Sequence, residues 1–92
     1  MRAASGARTM PDRAEVYKAI DGERDYQDSL KGIRSDGTKR SVGDYLIMMD
    51  HYLNHGKEFF AVNPGFKMVL PDIRKIAAIA VRCMEEHGAP ER

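Results

Sequence analysis

Apolar residues recur at three- and four-residue steps from Ile73 to Met84, through Ile76, Ala77 and Ala80. That is the spacing of one face of an α-helix. Ile79, Val81 and Cys83 widen the face until it covers most of the circumference, and only Arg74, Lys75, Arg82, Glu85 and Glu86 break it. A helix apolar nearly all round is buried on several sides. The pattern therefore predicts a central helix over 71–87. Pro71 suits its first turn, where a missing N–H leaves nothing unsatisfied. Gly88 suits the left-handed position past its end, and Pro90 bars continuation.

Two further helices are predicted upstream. Asp12-Arg13-Ala14-Glu15 has the spacing of a capping box. It opens a first helix over 12–30 with Val16, Ile20 and Leu30 on its apolar stripe. Glu23 and Gln27 fall on the same stripe, where core-facing residues are expected. Either they pair with polar groups on neighbouring helices or they line a pocket. Gly22 weakens the middle of this helix by about 1 kcal/mol relative to Ala. The second helix, over 41–60, starts at a similar pattern, Ser41-Val42-Gly43-Asp44. Val42, Tyr45, Leu46, Met49, Tyr52, Leu53, Gly56 and Phe60 fit its amphipathic template. The opposite face carries Asp44, His51, His55 and Glu58. The spacing of His51, His55 and Glu58 would let a divalent ion bridge them. No second ligand set completes such a site, so the three read as an ordinary polar face and no metal is expected. Phe66 to Leu70 reads as one short extra turn.

Nothing alternates in the manner of a strand. The expectation is an all-α chain with three main helices and a short fourth turn. They form a small bundle over 12–92 behind a flexible arm at 1–11. Ninety-two residues make one domain with a modest core. The third helix has more apolar girth than two neighbours cover, so the bundle is expected to be completed by homo-oligomerisation.

Composition narrows the function without naming it. The hydrophobic share of 42% and charged share of 32% are ordinary for a soluble domain. A net charge of +1 gives no field that would draw the chain to nucleic acid or membrane. No apolar run approaches the roughly 18 residues of a membrane span. The opening M-R-A-A-S-G-A-R-T-M lacks the apolar region of a signal peptide. Cys83 is the single cysteine. It forms no internal disulfide, suits a reducing cytoplasm and reads as a small core residue.

The most basic segment is K-G-I-R-S-D-G-T-K-R at 31–40, where Lys31, Arg34, Lys39 and Arg40 stand against Asp36. It delivers directly into the second helix. Its side chains bring positive charge, and the free N–H groups of the first turn point outward with the helix dipole behind them. A phosphate is expected there, held by Arg34, Lys39, Arg40 and Ser41. Arg24, Arg74 or Lys75 would assist, since guanidinium grips phosphate as a fork. Tyr26 would stack on a base, and Glu23 and Gln27 would line the pocket. The expected ligand is a nucleotide or other phosphorylated small molecule, with no cofactor.

Three separated blocks resemble a group of small bacteriophage proteins of unassigned function. They are E-R-D-Y-Q-D (23–28), S-V-G-D-Y-L (41–46) and I-R-K-I-A-A-I-A-V-R-C-M-E-E-H-G-A-P (73–90). The resemblance spans roughly residues 15–90 and implies a phage origin and expression in the host bacterial cytoplasm. More distantly, the layout is similar to the MazG-like all-α nucleoside triphosphate pyrophosphatases. Those are oligomeric bundles that hold Mg²⁺ through E-x-x-E on one helix and E-x-x-D on the next. Magnesium there neutralises phosphates and activates a water. This chain departs from that pattern. Ile47 stands three residues after Asp44, and Gly88 three after Glu85. Only Asp25 and Asp28 keep an acid pair at that spacing within the three blocks. The resemblance therefore implies nucleotide binding without hydrolysis, and in a phage the sequestration of a host anti-phage defence signal of the cyclic or ADP-ribose type. One alternative is a diverged Mg-dependent pyrophosphatase using Glu23, Asp25, Asp28 and Asp44. Another is an inhibitor that binds a host protein through Tyr17, Phe59 and Phe66.

Overall fold

The computed structural model describes residues 10–30 and 40–92. Arg34 and Lys39 of the basic segment, and most of the expected arm, lie outside the described residues. The described chain forms α1 (Arg13–Ser29), α2 (Val42–Val62) and α3 (Leu70–His87), with a 3-10 turn at Phe66–Met68 between the last two. No strand occurs among the described residues. The chain is all-α, and no described helix is long and apolar enough to cross a membrane.

The helix starts follow from their capping chemistry. The Asp12 carboxylate accepts from the Glu15 N–H at 3.0 Å, and the Asp12 N–H donates back to Glu15 Oε1 at 3.1 Å. Ser41 and Asp44 repeat the exchange at the start of α2, both at 3.0 Å. Each box satisfies two backbone donors that the first helical turn leaves open. α3 has no side-chain cap. Instead the Val69 carbonyl accepts from the N–H groups of Asp72 and Ile73, and Pro71 brings no donor to satisfy. α3 ends at Gly88, whose φ of 121° lies where a side chain is disfavoured. Its N–H donates to the Met84 carbonyl at 2.9 Å.

α3 is the middle helix. α1 and α2 each pack along it, while their backbones do not come together among the described residues. Its buried side chains are Asp72, Ala78 and Ile79. α1 contributes Glu23 to the interior, and α2 contributes Tyr45. The apolar girth read from the sequence is therefore covered on two sides only. Ile73 stays 55% exposed and Met84 44%. Val16 of α1 and the adjoining Leu30 are likewise open. Cys83 is half-buried and free.

Candidate functional site

Among the described residues, side chains of all three helices converge on a partly polar cavity near the start of α2. Arg40 immediately precedes Ser41, the cap of that helix. The Arg40 carbonyl is 2.7 Å from Nε2 of His87, so the end of α3 is fastened to the start of α2. Tyr45, one turn into α2, is fully buried. Its ring meets the His87 ring edge-on, with centroids 6.3 Å apart. From α3, Arg82 Nε donates to Glu86 Oε2 at 3.4 Å, one helical turn along. α1 contributes Gln27 and the adjoining Leu30.

These groups enclose a pocket of about 110 Å³, walled by Gln27, Arg40, Tyr45, Tyr52 and Arg82, with Leu30, Met48 and Ile79 as its apolar lining. Arg40 Nε, Tyr45 Oη and Glu86 Oε1 are buried with no hydrogen-bond partner. Buried polar atoms in native proteins are nearly always paired. Tyr45 and Glu86 are each other's neighbours, so Arg40 Nε is the atom that points to a further binding partner. The Tyr45 hydroxyl lies beside the Glu86 carboxylate without a hydrogen bond of regular geometry. Burial pushes the Tyr45 phenol above its ordinary value, and the neighbouring carboxylate pushes it further. The same phenol holds the Glu86 carboxyl below its ordinary value, with Arg82 assisting. Among the described residues, two guanidiniums stand against one carboxylate at the pocket, which gives it net positive charge.

The other residues expected at a site have different surroundings. Glu23 is buried and accepts from Arg74 Nε at 2.7 Å, which commits that donor to an ion pair between α1 and α3. Arg24 is held by both oxygens of Glu85, at 3.1 and 2.7 Å, and by Asp28. The Glu85 contact first, and then Asp28, raise its already high pKa. Tyr26 is exposed, with its carbonyl accepting from Ser29 Oγ at 2.6 Å. Ser41 Oγ caps α2, and the Asp44 carboxylate stands at that helix start. Lys75 lies 5.4 Å above the Tyr52 ring. The structure thus brings Gln27 and Arg40 into one pocket, and places Glu23, Arg24, Tyr26, Ser41 and Arg74 elsewhere. The alternatives for the two polar residues on the α1 stripe are divided between them. Glu23 pairs, and Gln27 lines a pocket.

On the other side of α2, His55 Nδ1 lies 2.8 Å from the buried Asp72 carboxylate. Gly56 is beside this pair, and a Cβ there would stand 3.6 Å from Asp72. His51 packs edge-on against Tyr52. No three His, Cys, Asp or Glu side chains among the described residues gather as a metal cluster.

Sequence reasoning missed Tyr45, Arg82 and Tyr52 as pocket residues, and Glu86 as the partner of Arg82. The Arg82–Glu86 spacing and a tyrosine on a core stripe were the available signals, since a buried phenol calls for a polar neighbour. Compared with known proteins, the chain matches no family model, no curated protein and no solved structure.

Proposed function

We propose that the chain binds the anionic group of a nucleotide or other phosphorylated small molecule, without hydrolysing it, in the pocket between its three helices. Arg40 and Arg82 grip the anion, the Gln27 amide donates to it, and Glu86, supported by Tyr45, holds Arg82 in place. The observation that carries this reading is Arg40, whose buried Nε has no hydrogen-bond partner and which lines the same cavity as Arg82. Guanidinium is always charged and its N–H fork matches phosphate geometry. A volume of about 110 Å³ takes one phosphoryl group and not a whole nucleotide. The sugar and base would leave the pocket over Leu30, Met48 and Tyr52. If the bacteriophage resemblance is the right setting, such a binder would act in the host cytoplasm and withdraw a nucleotide defence signal from circulation.

The test is native mass spectrometry of the protein purified from bacterial cells, followed by calorimetry with nucleoside phosphates, cyclic nucleotides and inorganic phosphate. A nucleotide adduct, with affinity reduced at least tenfold in both Arg40→Ala and Arg82→Ala, is the expected result. Absence of binding to every probe at millimolar concentration would sink the reading. So would binding that survives both substitutions.

A second reading is an inhibitor of a host protein, which the open aromatics Tyr17 and Phe66, 60% and 63% exposed, favour. Phe59, expected to share that role, is half-buried. It predicts capture of a host protein that Tyr17→Ala with Phe66→Ala abolishes and Arg40→Ala leaves intact.

A further inference from the structure

One chain by itself buries little. Among the described residues only Tyr45, Ala78 and Ile79 are buried hydrophobics. A core of that size falls short of what a small domain needs to offset its conformational entropy.

The open apolar side chains are not scattered. On α2, Val42, Leu46, Met49, Leu53, Gly56 and Phe60 follow one another in alternating steps of four and three. That is the seam spacing of a coiled coil, and no charged residue interrupts it. Val42, Leu46, Leu53 and Phe60 are between 46% and 59% exposed. The contact of α2 with α3 runs along a neighbouring stripe, marked by the buried Tyr45 and half-buried Tyr52. Gly56 of the seam also meets Asp72 of α3, while Val42, Leu46, Leu53 and Phe60 stay open among the described residues. On α3, Ile73, Ala77, Ala80 and Met84 repeat the same steps. Apolar grooves flank that row on both sides. One is lined by Leu53, Gly56, Phe60, Ile73 and Ile76. The other is lined by Val16, Ile20, Leu70, Ile73 and Ala77. Ile73 borders both, so the three helices present one continuous apolar face.

We infer that this face closes on a second copy of the same chain, helix against helix. Three arguments select that occupant. Seam spacing asks for another helix, whose side chains interlock at the same period. Sizes are complementary within one sequence: the α2 row offers Leu46, Leu53 and Phe60 as knobs, and the α3 row offers Ala77 and Ala80 as the floor of a groove. The area is also sufficient. Eight large apolar side chains left about half open expose on the order of 700 Å², close to the roughly 800 Å² per partner of a standard stable interface. A chain that lacks a core of its own must meet its partner whenever it folds, and another copy of itself is always present when it is made. The face shares only Tyr52 with the lining of the anion pocket and none of its arginines, so it is tested separately from the proposed function.

Sedimentation equilibrium of the full chain tests it. The expected mass is at least twice the 10.4 kDa of one chain, with a melting temperature that rises with protein concentration. A mass of one chain at every concentration, with a constant melting temperature, overturns the inference. The neighbours Leu46 and Ile47, 59% and 71% exposed, then locate the face. Leu46→Glu should weaken association at least a hundredfold, and Ile47→Glu should leave it unchanged. The reverse pattern, or dissociation by both, refutes the seam. Carbene footprinting of the unmodified protein decides the same point if Leu46→Glu does not fold. Leu46 and Leu53 should be protected in the assembled protein and Ile47 labelled, whereas equal labelling of all three rejects the face.

Discussion

Arg74 Nε donates to Glu23 Oε1 at 2.7 Å and so joins α3 to α1 across 51 positions of sequence. The two ends of this bond differ. The Glu23 side chain is 7% exposed and that of Arg74 is 44%. The carboxylate is the group that suffers if the bond is lost. Arg74→Met strands it, at a cost of about 1–3 kcal/mol, with the lower half expected because the arginine side is open to water. Glu23→Leu combined with Arg74→Met removes the stranded charge and should be more stable than Arg74→Met alone. Urea denaturation of the two variants gives the order. A double variant weaker than the single one would mean that the pair does not act through burial of Glu23.

The Tyr45–Glu86 contact predicts a stability profile that falls at both ends of the pH scale. Glu86 has a folded pKa below its ordinary value of 4.5, so its contribution is present above that value and is lost as pH falls through the folded one. Tyr45 has a folded pKa above its ordinary value of 10.0, so its contribution is present below that value and is lost as pH rises through the folded one. Tyr45→Phe should flatten the alkaline fall and lessen the acid one. Melting temperatures from pH 3 to 11 check this, and an unchanged alkaline limb in Tyr45→Phe would assign that fall to other groups.

Helix positions were legible where the determining chemistry is local. Asp12 with Glu15 and Ser41 with Asp44 lie three residues apart, and each pair closes the box that its spacing announces. Pro71 and Gly88 bracket α3 for equally local reasons. The pocket was only half legible. Gln27 stood out because a polar residue interrupted an apolar stripe, and Arg40 because of its basic neighbours. Tyr45 and Arg82 gave no such sign. They meet across nearly forty positions, and their meeting depends on how α2 lies along α3, which no short pattern encodes. Arg24 misled for a related reason. Asp28, four residues on, was a visible partner, but Glu85, which takes two of its N–H groups, lies 61 positions away, so the guanidinium looked more available than it is.

Gly22 offers a gain in stability without a change in contacts. It lies inside α1, and a Cβ built there meets nothing within 4 Å. Gly22→Ala should stabilise the fold by about 0.5–1 kcal/mol through lower backbone entropy in the unfolded chain. A shift of the urea midpoint upward with an unchanged slope is the expected observation. A downward shift would show that the site is covered in the assembled protein.

Ser41→Ala removes the acceptor for the Asp44 N–H and should cost about 1 kcal/mol. Ser41→Asp should keep most of that stability, since a carboxylate caps equally well and suits the helix dipole. Thermal melts of the two variants separate a cap from a side chain with no structural role.

Because α1 and α2 each run along α3 while their backbones do not come together among the described residues, neither can complete its packing before α3 exists. During synthesis the first two helices emerge with nothing to fold against, and the chain stays uncommitted until its third helix follows. Folding is then a late event that draws all the elements together at once. A chain cut short before Leu70 would leave two amphipathic helices with open faces, which is substrate for proteases and not a smaller version of the protein.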